Sequence, residues 1–121
     1  MNAELALIAR VVTGGVFAIV GVRNAVNHAP LAEFMKLRRV PAPALSAWIG
    51  TATQIVLGAL LAAGLWPLTA TIGLAIFVVM ATLIAHWPFD KSGAERTENI
   101  TACLVNLLVL GGLLAHAALS L

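Results

Sequence analysis

Four apolar stretches, each about long enough to cross a membrane, restrict what this chain can fold into. They cover roughly residues 5–24, 44–65, 67–87 and 99–120, and each has about the 20 residues that a ~30 Å hydrocarbon layer requires of an α-helix. Apolar residues make up 61% of the chain and charged residues only 10%, whereas soluble domains are about 25% charged. The sequence therefore predicts an all-α integral membrane protein, a single domain over residues 1–121 that forms a four-transmembrane-helix bundle.

The first loop, residues 25–43, has the pattern of a short helix that rests on the membrane surface. Leu31, Phe34 and Met35 fall on one helical face, and charged residues lie toward another, as in helices that lie among lipid headgroups. Phospholipid headgroups account for its basic residues, although a specific anionic partner is an alternative.

Lysine and arginine counts in the loops predict the orientation. The loops that follow the first and third apolar stretches carry Arg23, Lys36, Arg38, Arg39, Lys91 and Arg96, and the opposite side carries none outside the membrane. By the positive-inside rule, loops 25–43 and 88–98 are expected to be cytoplasmic and both termini to lie outside.

Small and polar residues mark the helix faces expected to pack inside the bundle, because close approach and polar contacts drive helix association in lipid. The three stripes are Arg10, Gly14, Phe17 and Gly21; Gly50, Gln54, Gly58 and Ala62; and Asn99, Cys103, Asn106 and Leu110, with Gly111 and Gly112 above them.

Arg10 is the least expected of these residues, because an arginine at mid-helix costs roughly 2.5–3.5 kcal/mol on insertion scales. We expect it to point into the bundle toward a neutral oxygen such as that of Gln54, or toward the outer headgroups. Arg10, Gln54 and Asn106 form the candidate polar intramembrane cluster. Either it binds a ligand or it only links helices through hydrogen bonds.

The remaining polar residues exclude several function classes. A single cysteine, Cys103, cannot form an internal disulfide or a C-x-x-C redox pair. His86 and His116 are predicted at opposite ends of their helices, so one chain cannot offer both to a single haem. A His28–His86 metal pair is only a weak candidate. The sequence predicts no catalytic residues, no metal site and no nucleic-acid partner.

Three segments carry a family resemblance: "R-x-x-x-G-x-x-F-x-x-x-G" in the first helix, "G-T-A-T-Q-I-V-L-G-A-L-L-A-A-G" in the second and "N-L-L-V-L-G-G-L-L" in the fourth. With the "HWPF" exit from the third helix, their order resembles the DoxX family of small four-helix bacterial membrane proteins. Such proteins commonly have an acidic residue where this chain has Gln54, and a lysine near Asn24.

The resemblance implies a multi-pass protein of the bacterial inner membrane with a membrane redox or oxidative-stress role. We expect an accessory or structural subunit of a membrane redox assembly that contacts lipid or a quinone, with membrane lipids and other membrane subunits as partners and no other cofactor. The alternative is a small four-helix exporter, although proton-coupled exchange requires an intramembrane carboxylate and the helices have acids only near their ends.

Overall fold

The structure, a computed structural model, describes residues 3–85 and 92–121, and within them every regular element is an α-helix. The helices are α1 (Ala3–Val26), α2 (His28–Leu37), α3 (Pro43–Ala63), α4 (Pro67–Ala85) and α5 (Gly93–Leu119). Four of them, α1, α3, α4 and α5, are long and apolar enough to cross a membrane. The predicted all-α membrane bundle with a short helix in the first loop is therefore confirmed.

The last helix begins earlier than its apolar stretch suggested. The prediction had it start near residue 99, whereas α5 starts at Gly93 and includes the polar segment that precedes the apolar residues. Ala94, Glu95 and Arg96 are good helix formers, so the first turns extend the helix beyond its apolar part. His86 and the rest of "HWPF", together with residues 88–91 of the predicted loop 88–98, lie outside the described residues.

A tight corner joins α3 to α4. Gly64 ends α3 in the left-handed conformation, with φ +73°, and its amide donates to the carbonyls of Leu60 and Leu61. The amide of Leu65 also donates to Leu60 O at 2.9 Å, which completes a Schellman-type C-cap. Pro67 then begins α4, a position where its missing amide hydrogen costs nothing.

The helices pack in the order α1, α3, α4, α5, and α2 packs on α3. Side chains from α3, α4 and α5 form the buried core, which contains Leu61, Ala70, Leu74, Val78 and Leu113. We call the end of the bundle that carries Arg23 and α2 the basic end. The other end, with residues 64–66, the start of α1 and the end of α5, is the hairpin end.

Candidate functional site

Glycines bring α1 and α3 into backbone contact and fix their relative register. A Cβ atom on Gly58 would lie 2.7 Å from the carbonyl oxygen of Gly14 and 2.8 Å from the amide nitrogen of Ala18. One on Gly21 would lie 3.0 Å from the Cβ of Gln54. Because the two helices run in opposite directions, these contacts set which level of α1 faces which level of α3. The predicted glycine faces do pack against each other.

This register places Arg10 at the end of α3 rather than beside its middle. The guanidinium lies against Gly64, where a Cβ atom would meet Nη2 at 3.1 Å and Nε at 3.4 Å. A cation is favoured there because the C-terminus of a helix carries a partial negative charge of about half an electron. The Nε atom is buried and has no hydrogen-bond partner. Arg10 thus occupies the hairpin end.

Gln54 has a different partner from the expected one. Asn24 Nδ2 donates to Gln54 Oε1 at 2.8 Å, which links α1 to α3. The Gln54 side chain is buried, so this hydrogen bond satisfies an oxygen that would otherwise be desolvated without compensation. Gln54 lies ten residues before Gly64, which is about 15 Å along an α-helix, and an arginine side chain does not span that distance.

Asn106 belongs to the contact between α4 and α5. Its Nδ2 donates to Thr82 Oγ1 at 2.8 Å, and the Thr82 hydroxyl donates onward to the carbonyl of Val78 at 2.7 Å. A shallow, open apolar cleft of about 240 Å³ lies on the same two helices and is lined by Ala75, Ile76, Val79, Met80 and Leu110. Because Asn106 is one turn from Leu110 on α5, the polar pair lies close to one end of this cleft.

The structure therefore does not bring the three candidate residues together. Arg10 lies at the hairpin end, Gln54 near the middle of α3, and Asn106 against Thr82, near the end of α4 that faces the basic end. Each predicted stripe faces inward in part, since Gly14, Gln54 and Asn99 are buried, whereas Gly111 and Gly112 of the third stripe are open. The sequence could not supply the offset between α1 and α3, and that offset separates Arg10 from Gln54.

A polar contact that the sequence analysis missed joins α1 to α5. Thr13 Oγ1 and His116 Nε2 are 3.1 Å apart, and His116 is only 9% exposed. The Ser120 hydroxyl donates to the His116 carbonyl at 2.8 Å. Thr13 lies one turn from Arg10, so this pair lies in the half of the bundle nearer the hairpin end. The signal in the sequence was a polar residue within each of the two apolar stretches.

The other histidine with described surroundings fastens α2 to α3. The rings of His28 and Trp48 are stacked, with centroids 3.9 Å apart and an interplanar angle of 13°. In the described ranges, no three His, Cys, Asp or Glu side chains are grouped so that they could hold a metal ion. The His28–His86 pair considered from the sequence involves a residue outside the described part of the chain.

Comparison with known proteins identifies a family. The family model DoxX matches residues 5–87, a range that contains nearly all of α1, the whole of α2, α3 and α4, and Arg10, Asn24 and Gln54. The fourth-helix motif of the predicted resemblance lies beyond the matched range. No curated protein matches the chain significantly, and neither does any solved structure. By its sequence and its four apolar helices, this chain belongs to the DoxX family.

Proposed function

We propose that this protein is an accessory or structural subunit of a membrane redox assembly in the bacterial inner membrane. Membership of the DoxX family supports the redox setting, and the open face of α5 supports the role of a subunit. The bundle leaves this last helix packed mainly against α4, so much of its surface faces outward.

The observation that carries the proposal is the glycine pair Gly111 and Gly112. A Cβ atom on either residue would meet nothing within 4 Å, and the neighbouring side chains of Leu107, Leu108 and Leu114 are exposed. In α1 and α3 the same residue type allows two helices to touch backbone to backbone. An open glycine pair on a transmembrane helix is suited to close approach by a helix of another subunit.

The cleft between α4 and α5 supports a lipid or quinone contact. Its lining is apolar, which suits an acyl or isoprenoid chain, and Asn106, one turn from Leu110 on α5, is the nearby polar residue that a polar head would contact. Of the three residues first considered for this contact, Asn106 is the one beside such a cleft. We accordingly assign the lipid or quinone contact to Asn106 and no longer to a joint cluster.

The proposed orientation has the basic end in the cytoplasm and both termini outside. Arg23, Lys36, Arg38 and Arg39 all lie at or near the basic end, and positively charged residues close to membrane-spanning helices favour the cytoplasmic side. Under this orientation the hairpin end faces outward.

Purification in a mild detergent, followed by mass spectrometry of copurifying proteins, tests the subunit role. We expect a stable partner for the wild-type protein and its loss in Gly111→Leu and Gly112→Leu. Gly15→Leu is the matched control, because a Cβ atom on Gly15 also meets nothing within 4 Å but lies on α1. Wild-type protein that purifies without any partner would overturn the proposal.

Solvent extraction of the same preparations tests the ligand contact. Chromatography of the extract should detect a quinone or a retained lipid, at lower occupancy in Asn106→Ala than in the wild type. Asn27→Ala, at an exposed asparagine of the basic end, serves as the control. Equal occupancy in all three proteins would exclude the Asn106 cleft as the site.

A further inference from the structure

We infer that the hairpin end contains a phosphate-binding site in which the Arg10 guanidinium is the binding group. This site is separate from the Asn106 cleft, and the inference does not depend on the redox assembly. Four features of the described residues support it. They are the depth of Arg10, its unpartnered Nε–H, the polar pair Thr13 and His116, and the glycine corner at Gly64.

The first feature is depth. Arg10 lies level with Gly64, where α3 ends, and Trp66 follows two residues later with 73% of its surface exposed. Exposed tryptophans are typical of the boundary between hydrocarbon and headgroups. We infer from this marker that the guanidinium lies near the headgroup layer.

The second feature is the unused donor. A guanidinium has five N–H groups in a planar fork, and the Nε–H of Arg10 is buried without a partner. A buried donor on a charged group is costly when it stays unsatisfied. Among the acidic residues that the structure describes, Glu33, Glu95 and Glu98 lie toward the basic end, and Glu4 lies six residues before Arg10, about 120° away around the helix. Because the Nε–H is buried, an external anion would reach the guanidinium through its terminal Nη groups.

The third feature is the wall formed by Thr13 and His116. Thr13 follows Arg10 by one turn, and its hydroxyl is 3.1 Å from His116 Nε2. This contact joins the end of α5 to α1 one turn from Arg10. We infer that the two residues act as positioning residues on the α5 side of the site.

The fourth feature is the corner itself. The Nε and Nη2 atoms face the α-carbon side of Gly64, whose φ of +73° and close approach to the guanidinium both favour glycine. A side chain at this position would push the guanidinium away. Arginine binds phosphate through two parallel hydrogen bonds, and the corner holds the guanidinium plane in one position.

Thermal unfolding of the purified full chain in a neutral, phosphate-free detergent tests the inference. The additives are phosphatidylglycerol, diacylglycerol with the same acyl chains, and inorganic phosphate against sodium chloride of equal ionic strength. We expect phosphatidylglycerol to raise the melting temperature by ligand linkage, and diacylglycerol, which lacks the phosphate, to have no such effect.

Arg10→Gln should weaken the apparent affinity by about tenfold or more, since it removes a bidentate charged contact. Arg23→Gln is the matched control, because it removes one positive charge from the other end of the same helix, where the side chain is exposed. It should respond to the lipid as the wild type does. Thr13→Val should give a smaller loss than Arg10→Gln.

The additions of lipid and of inorganic phosphate also distinguish two sources of the bound phosphate. A response to inorganic phosphate as well as to the lipid supports a soluble phosphate ligand, and a response to the lipid alone supports a headgroup. The inference is overturned if neither source affects the wild type, or if Arg10→Gln responds like Arg23→Gln. If Arg10→Gln does not fold, Arg10→Lys replaces it, because lysine keeps the charge but loses the fork. Arg10→Lys should bind phosphatidylglycerol several-fold more weakly than the wild type. Lipid retention equal to that of the wild type in its native mass spectrum would contradict the site.

Discussion

Asn24 and Gln54 form a hydrogen bond of 2.8 Å between the last two turns of α1 and the middle of α3. The resemblance to DoxX proteins indicates an acidic residue at position 54 and a lysine near position 24. In this chain the two positions are neighbours and both carry neutral amides. An amide pair here needs no compensation of charge inside the bundle.

This contact predicts a charge swap. Gln54→Glu alone should destabilise the protein by about 3 kcal/mol, because it buries an acid without a cationic partner. Adding Asn24→Lys should recover much of that loss by supplying the partner. Reversible unfolding in mixed micelles, followed by circular dichroism, measures the four variants of the cycle. If Asn24→Lys gives no rescue, side chains at positions 24 and 54 do not meet.

Arg10 and Gln54 should behave independently. Because their levels on α3 are about 15 Å apart, the effects of Arg10→Leu and Gln54→Ala should add to within about 0.5 kcal/mol in the double mutant. The same unfolding assay applies. A coupling above 1 kcal/mol would restore the contact first expected from the sequence.

The glycine contact between α1 and α3 should tolerate no methyl group. In Gly58→Ala the new Cβ would lie 2.7 Å from the Gly14 carbonyl oxygen, so the helices must separate, at a cost of about 1–3 kcal/mol. Gly15→Ala, which meets no neighbour within 4 Å, should be neutral or slightly stabilising because alanine favours the helix. Equal melting temperatures for the two variants would contradict the close packing.

The orientation can be measured by labelling in intact cells. In a Cys103→Ala background, Ser92→Cys at the start of α5 and Leu121→Cys at its end should react from opposite sides, because α5 spans the membrane between them. With the basic end in the cytoplasm, an impermeant maleimide should label only Leu121→Cys. Labelling of Ser92→Cys from outside would reverse the proposed orientation.

The helices could be predicted because each membrane span needs about 20 apolar residues, and a stretch of that length is visible in the sequence. Inward faces were also readable, since small residues on one stripe indicate close packing, as Gly14 and Gly58 do. The open pair Gly111 and Gly112 shows the limit of that rule. A glycine stripe indicates a face fit for packing but does not say whether the partner belongs to the same chain.

Contacts between particular residues could not be predicted for a different reason. Pairs such as Thr13 with His116 depend on how far one helix is shifted along its neighbour. A shift of one turn moves a side chain by about 5.4 Å, and hydropathy is nearly unaffected by such a shift. Backbone contact at Gly14 decides the shift between α1 and α3, and the glycine stripes alone do not pair Gly14 with Gly58.

The tight corner at Gly64 has a consequence for biogenesis. Only three residues separate α3 from α4, so neither can be delivered to the bilayer long before the other, and we expect them to leave the translocon together. Mean hydropathy in the best window is 1.6 for α3 but 2.2 for α1 and 2.4 for α4. The less apolar α3 is therefore expected to enter the bilayer together with the strongly apolar α4. On its other side, α3 packs against α1, which is inserted before it.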